Sequence, residues 1–176
     1  MRRIFYILFL FLSIFGNSFA KPTEIDTSKP VKIEADEVKI KKNNNSMIFK
    51  GNVRAIQENL NMFSDLMNVT YYKDKEDRVL IKTIVAKNNV VLQNENITAK
   101  GDGAIYDFQR QLITLKGNII LNEKDAVVFG EMLTYNITTK ETKMNVIENE
   151  EANTNKKRVI VILDNINDLK DRYDKK

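Results

Sequence analysis

The side chains with the greatest chemical potential in this sequence are four carboxylates at regular intervals: Asp36, Asp65, Asp102 and Glu131, separated by 29, 37 and 29 residues. Carboxylates can act as general acid and base, so one hypothesis is a hydrolase. The sequence has no histidine and no cysteine, which removes the usual zinc ligands and every Ser-His or Cys-His nucleophile. We therefore expect no catalytic residues, no metal site and no cofactor.

The four acids share a local pattern that favours an architectural role. Each follows a small residue and precedes two apolar residues at alternate positions, as in the segment 35–40. A Lys-Gly-Asn triplet recurs at 50–52 and 116–118, and the same 66-residue offset separates Asp36 from Asp102. A middle copy at 87–90 has lost its glycine. Small residues beside acids are typical of bends and bulges in strands, so the pattern predicts repeated bends.

The segments around these bends alternate apolar and polar residues, and proline occurs only at positions 22 and 30. This predicts an all-β chain in which polar turns separate the strands. Turn spacing of roughly 8–12 residues favours a sandwich, barrel or jelly roll. The predicted strands cover residues 31–35, 37–40, 46–56, 65–72, 78–86, 89–93, 97–101, 104–108, 111–121, 126–137 and 158–163.

The first twenty residues have the layout of a signal peptide. Arg2 and Arg3 precede an apolar run from Ile4 to Phe15, and small residues lie at Ser18 and Ala20. We expect cleavage after Ala20, a β-rich domain over 21–163 and a polar, flexible tail over 164–176. An uncleaved membrane anchor is the alternative interpretation.

The charge distribution argues against nucleic acid as a partner. The chain has 28 basic and 24 acidic residues and a formal net charge of +4. Basic and acidic residues are interspersed, whereas a nucleic-acid-binding domain concentrates positive charge on one surface.

The order of these motifs resembles the LptA, or OstA, family of lipopolysaccharide-transport proteins. Residues 29–36 resemble the family's first strand, 49–53 and 115–119 resemble its two Gly-Asn strands, and 157–163 resemble its last strand. The resemblance covers about 27–163 and is weakest over 72–86. It implies a bent antiparallel β-jelly roll, open along one side, with an apolar groove. It also implies a periplasmic carrier that shields lipid A acyl chains and links an inner-membrane complex to the outer-membrane translocon.

The residues of the expected groove follow from strand alternation, taking the side of Val31 and Ile33 as inward. The resemblance further matches Thr27, Val31 and Ile33 at the groove's entry, and Tyr106 and Phe108 midway, to lipid-contacting positions of the family. An inward apolar residue can equally be ordinary core. The predicted lipid-binding residues are Thr27, Val31, Ile33, Val38, Ile40, Phe49, Val53, Met62, Met67, Val69, Tyr106, Phe108, Leu115, Ile119, Leu133 and Tyr135.

The first and last predicted strands carry a second hypothesis. If both lie at sheet edges, their unpaired backbone groups can add strands from another chain. The partner-strand residues are then Val31, Ile33, Val159, Val161 and Leu163. With the resemblance, this predicts lipopolysaccharide, an LptC-like inner-membrane protein, an LptD-like outer-membrane translocon and head-to-tail copies of the chain as partners.

Three alternatives remain open from the sequence. The first is the LptC-like, inner-membrane-anchored component of the same transport machine. The second is a lipid-directed hydrolase that uses the four repeated acids. The third is a structural β-solenoid without a ligand, whose repeats only pack against their neighbours.

Overall fold

The fold is all-β, as predicted. A computed structural model of the protein describes residues 29–147 and 158–163; the predicted signal peptide, Thr27 and the tail lie outside this part. No helix within it is long and apolar enough to cross a membrane. The strands are β1 (Lys32–Glu34), β2 (Glu37–Lys41), β3 (Ser46–Gln57), β4 (Leu60–Lys73), β5 (Val79–Gln93), β6 (Ile97–Asp107), β7 (Leu112–Glu123), β8 (Ala126–Asn136), β9 (Thr142–Asn145) and β10 (Ile160–Leu163).

All ten strands belong to one antiparallel sheet of simple topology. Its order is β1-β3-β4-β5-β6-β7-β8-β10, while β2 also pairs with β3 and β9 also pairs with β8. Successive long strands are therefore neighbours, joined by hairpins. The sheet does not close: within the described ranges, β1 and β2 end it on one side and β9 and β10 on the other.

The six long strands, β3 to β8, each bend near their middle and so divide the sheet into two halves. Half-sheet I consists of β2, residues 46–50, 66–73, 79–87, 103–107, 112–116 and 132–136, and β9. Half-sheet II consists of β1, residues 53–57, 60–64, 90–93, 97–101, 119–123 and 126–130, and β10.

The bends are β-bulges at regular positions. The pairing register shifts between Lys50 and Val53 in β3, between 87 and 90 in β5, and between 116 and 119 in β7. Gly51 and Gly117 have φ values of 75° and 76°, in the left-handed region that favours glycine. The repeated Lys-Gly-Asn triplets are thus bulges that turn the strand from one half-sheet into the other.

Each bulge is held by the acid that the sequence pattern singled out. The side-chain amide of Asn52 donates to Asp36 over 2.9 Å, and that of Asn118 donates to Asp102 over 2.9 Å. These two acid–asparagine bends repeat at the 66-residue offset. The carboxylates therefore act as hydrogen-bond acceptors in the bends.

The other two acids follow the same scheme with different partners. Asn89 donates to Asp65 over 2.7 Å, and Asn88 takes the position of the missing glycine with φ 62°. Asparagine tolerates this conformation better than most residues. Glu131 accepts the backbone N–H of Ile147 over 2.7 Å. No group of three acidic side chains within 29–147 and 158–163 is arranged to hold a metal ion.

The core lies on one face of each half-sheet, where the inward side chains form rows across the strands. In half-sheet I, Met67, Leu115 and Leu133 share such a row and are fully buried. In half-sheet II the corresponding row includes Leu92 and Leu121, also buried. Alternation with the apolar side inward and the polar side outward is what one buried face of an antiparallel sheet requires.

Several strand boundaries differ from those predicted. The interruptions expected near 87–88 and 102–103 are bulge regions within continuous strands, because the pairing resumes in a shifted register on the far side. β4 begins at Leu60, earlier than expected. β9 was not predicted, since its sequence Thr-Lys-Met-Asn has little apolar alternation.

Candidate functional site

A small apolar cavity lies between the inner faces of the two half-sheets. It encloses about 260 Å³, including space open to solvent. Half-sheet II and the residue before β1 line one side, and half-sheet I lines the other. The lining residues are Val31, Ala55, Gln57, Leu60, Met62, Ile84 and Tyr106. We refer to this space as the inner cavity.

Gln57 is the polar exception in this apolar lining. It is 3% exposed, and a buried amide is stable only when hydrogen-bonded. Its carbonyl oxygen accepts the hydroxyl of Tyr106 at 3.2 Å, and its NH₂ group donates to the backbone carbonyl of Lys29 at 3.0 Å. Gln57 therefore connects half-sheet I, half-sheet II and the segment before β1.

Tyr106 forms a continuous aromatic wall with Phe108. The two rings are stacked with centroids 3.8 Å apart. Tyr106 lines the inner cavity, whereas Phe108 lines a second and wider opening next to that cavity. Burial disfavours the phenolate and raises the pKa of Tyr106 to about 12.

This pKa predicts a loss of stability in alkali that depends on Tyr106. In the unfolded chain the phenol ionises near pH 10, but in the folded chain it keeps its proton to higher pH. Its contribution is complete below pH 10 and is lost as the pH rises toward 12. Between pH 9 and 11 we expect the unfolding free energy of the wild type to fall by about 1 kcal/mol more than that of Tyr106→Phe.

Urea unfolding at several pH values measures this difference. Burial, and to a lesser degree Glu123, also raises the pKa of Tyr135, but this residue is present in both proteins, and its effect cancels in the comparison. Parallel stability curves for the two proteins above pH 9 would contradict the prediction.

A wider opening, the outer mouth, adjoins the inner cavity. It encloses about 1000 Å³, including space open to solvent. Its walls are the segment before β1, the end of β4, the start of β5 and the β6–β7 turn. The lining residues are Lys29, Pro30, Val31, Gln57, Tyr72, Val79, Leu80, Ile81, Phe108, Gln109 and Gln111.

The predicted groove residues fall into three groups. Those in the buried core are Val53, Met62, Met67, Val69, Tyr106, Leu115, Ile119, Leu133 and Tyr135. Those partly buried against it are Val31, Ile33, Phe49 and Phe108. Val38 and Ile40 lie on β2 and are 54% and 59% exposed. The structure brings Val31, Met62, Tyr106 and Phe108 together at the inner cavity and the outer mouth.

Part of both linings was not predicted from the sequence. Ile84 and Leu60 line the inner cavity, and Val79 and Leu80 lie at the rim of the outer mouth. Gln57 was missed because it is polar. Its position still carried a signal, since it continues the inward alternation of Val53 and Ala55 along β3.

The predicted partner strands lie at opposite edges of half-sheet II. β1 pairs only with β3, and β10 only with β8, among the described residues. Every residue of β10 is at least 54% exposed, so both of its faces are apolar and uncovered here. Val159, just before this strand, is partly buried. The role of β1 and β10 in joining chains stays a prediction.

Comparison with protein families identifies the type of protein. The family described as "LptA/(LptD N-terminal domain) LPS transport protein" matches residues 32–141, which run from β1 to the end of the β8–β9 turn. The chain belongs to this family. The LptA/LptD N-terminal family is a lipopolysaccharide-transport family, so the resemblance carried by the Lys-Gly-Asn strands and the acid bends is confirmed.

Two individual proteins resemble this member of the LptA/LptD N-terminal family. The crystal structure of LptH, the LptA-homologous periplasmic component of the lipopolysaccharide-transport device of Pseudomonas aeruginosa, superposes with a TM-score of 0.66. The match covers 79% of this chain and 98% of LptH at 12% identity, and shows that the fold is shared. An uncharacterized protein of Rhizobium meliloti (strain 1021) is 29% identical over 127 residues, 69% of this chain and 68% of that protein.

Proposed function

We propose that this protein is a non-enzymatic periplasmic carrier of lipopolysaccharide, which shields the acyl chains of lipid A between its half-sheets. Its functional unit is the domain 21–163, exported by a signal peptide that is cleaved after Ala20. The single observation that carries the proposal is the apolar inner cavity, which adjoins an open mouth, in a member of a lipopolysaccharide-transport family.

The energetics of acyl burial support this role. Each methylene removed from water contributes about 0.8 kcal/mol, so a chain of a dozen carbons gains on the order of 10 kcal/mol before entropy losses. The inward rows of both half-sheets are mainly apolar along the whole sheet. A row of similar sites lets a lipid move in small steps, whereas one deep pocket would retain it.

The uncovered edges support a further part of the proposal, that the protein is a bridge. β1 and β10 offer backbone groups to neighbouring jelly rolls, which are further copies of this chain, an LptC-like inner-membrane protein and an LptD-like outer-membrane translocon. Joined in this way, the interiors form a path between the membranes.

A photo-crosslinking experiment in cells tests the carrier role. With benzoylphenylalanine at position 108, we expect a covalent lipopolysaccharide adduct, because Phe108 lines the outer mouth. Adducts are detected by immunoblotting for protein and lipopolysaccharide after irradiation.

Position 105 provides a matched control. Ile105 is 39% exposed and lies between the buried residues Ala104 and Tyr106, so its side chain points away from the interior. Crosslinks from 105 equal to those from 108 would show surface contact only and reject the carrier role.

The LptC-like component of the same machine remains a second candidate, because the run from Ile4 to Phe15 would serve as an anchor if retained. Sequencing the N-terminus of the protein purified from cells separates the two. Lys21 as first residue supports the periplasmic bridge, and Met1 in the membrane fraction supports the anchored component.

A further inference from the structure

The interior opens where the segment Lys29–Val31 meets the start of β5 and the β6–β7 turn. Val31 and Gln57 line both the inner cavity and the outer mouth, so the two spaces adjoin at these side chains. At the rim, Val79 and Leu80 are 57% and 38% exposed. An apolar rim that leads into an apolar interior is suited to a hydrocarbon chain.

Gln57 lies where the two spaces adjoin. Its hydrogen bonds to the Tyr106 hydroxyl and the Lys29 carbonyl join the segment before β1 to the facing half-sheet. A chain that passes from the mouth into the inner cavity passes Val31 and Gln57, and movement of the Gln57 side chain would break these hydrogen bonds. The cost of leaving buried polar groups unpaired opposes such movement.

We propose that the outer mouth is the port through which a single acyl chain enters the interior, and that Gln57 controls passage at the neck of this port. This inference rests on the proposed carrier function and adds to it a route and a controlling residue. Once the chain has passed, its methylenes contact Leu60, Met62 and Ile84.

The side chain of Gln111, which lines the mouth, indicates which chemical group the head of the acyl chain carries. The side-chain NH₂ group of Gln111 donates to the Phe108 carbonyl over 2.6 Å, but its buried side-chain oxygen has no hydrogen-bond donor within the described part of the chain. Such an acceptor is costly unless a ligand or water satisfies it. If entry of the chain uncovers this oxygen, an amide or a hydroxyl near the head of the chain would supply the missing donor.

A blocking experiment locates the port. The sequence contains no cysteine, so Leu80→Cys and Ile105→Cys each give one reactive thiol, at sites that are 38% and 39% exposed. Both are labelled with the same bulky maleimide and mixed with a dodecanoyl amide of an environment-sensitive fluorophore. We expect the adduct at 80 to slow probe uptake at least tenfold and the adduct at 105 to leave it unchanged.

A second experiment tests the neck. Gln57→Leu removes both hydrogen bonds and makes the neck apolar, so the probe should enter on the order of tenfold faster. Gln93→Leu makes the same chemical change at an exposed position on β5 that lines neither space, and should not alter the rate. If Gln57→Leu lowers thermal stability without changing uptake, Gln57 has only a structural role and the proposed control is wrong.

The outcomes separate this inference from the carrier function itself. Lipopolysaccharide crosslinks at 108 together with equal uptake by the two maleimide adducts would mean that chains enter elsewhere, for example along the sheet edges. The carrier function would then stand and the port would be rejected. Absence of both crosslinks and probe uptake in the unmodified protein would reject the carrier function.

Discussion

Replacing Gly117 with alanine is expected to lower the free energy of unfolding by about 2 to 3 kcal/mol. Its φ of 76° disfavours any residue with a Cβ, at about 1 to 2 kcal/mol. The added Cβ would also collide with the Asp102 carboxylate. Asp102 must then move and lose the Asn118 hydrogen bond, which adds about 1 kcal/mol. Chemical denaturation with urea measures the change.

Two further variants make this prediction specific to the bend. Gly103→Ala places a Cβ 3.5 Å from the Ala86 carbonyl oxygen, an ordinary contact, so it should change stability by less than about 0.5 kcal/mol. In a background of Asp102→Ala the collision with the carboxylate is absent and only the tight contact with the Cβ of residue 102, at 3.0 Å, remains, so Gly117→Ala should cost less there than in wild type. Equal losses for Gly103→Ala and Gly117→Ala, or strict additivity with Asp102→Ala, would refute the proposed bend geometry.

Deletion of residues 158–176 is expected to abolish end-to-end assembly while leaving a folded monomer. The deletion removes β10, which pairs with β8 alone and leaves all four of its side chains at least 54% exposed. An apolar edge strand is a strong site for pairing with another chain. Because β10 pairs only with β8 among the described strands, its removal should leave the rest of the sheet intact. Light scattering after size-exclusion chromatography should show a mass that rises with concentration for wild type but not for the truncated chain.

Deletion of residues 164–176 alone serves as the control, because it retains β10. This shorter deletion should assemble like wild type. If the 158–176 deletion assembles to the same extent as wild type, β10 is not the joining strand and the bridge proposal loses its main support. Circular dichroism confirms that both truncated chains remain β-rich.

The fold could be predicted from local sequence patterns, because its strands and bends depend on residues that are close in sequence or that recur at a fixed interval. Alternation gave the inward face of the strands. Asp36 and Asp102 lie 66 residues apart, as do Gly51 and Gly117, and this shared offset identified the bends. At each bend an acidic side chain meets a bulge where a strand passes into the other half-sheet. β9 escaped prediction because its pairing with β8, rather than its own composition, makes it a strand.

The candidate site was predictable only in part, because it depends on which portions of the two half-sheets face each other. Tyr106 and Phe108 were found through both strand alternation and the family resemblance, and Val31 through the resemblance, with its side taken as inward. The pairing of Gln57 with Tyr106 joins residues 49 positions apart across the interior, and no local pattern encodes such a contact. Val38 and Ile40 share the inward parity of Phe49, but β2 is an edge strand and its inner face is uncovered.

The acid–asparagine bends affect the width of the interior but not its length. Each bend is completed by residues of two adjacent segments, such as Asp65 on β4 and Asn89 on β5, and requires nothing from strands farther away. The bend geometry therefore sets how far apart the half-sheets stand, whereas the number of hairpins sets how far the groove extends. Adding or removing a whole hairpin would therefore change the length of the interior but not its width.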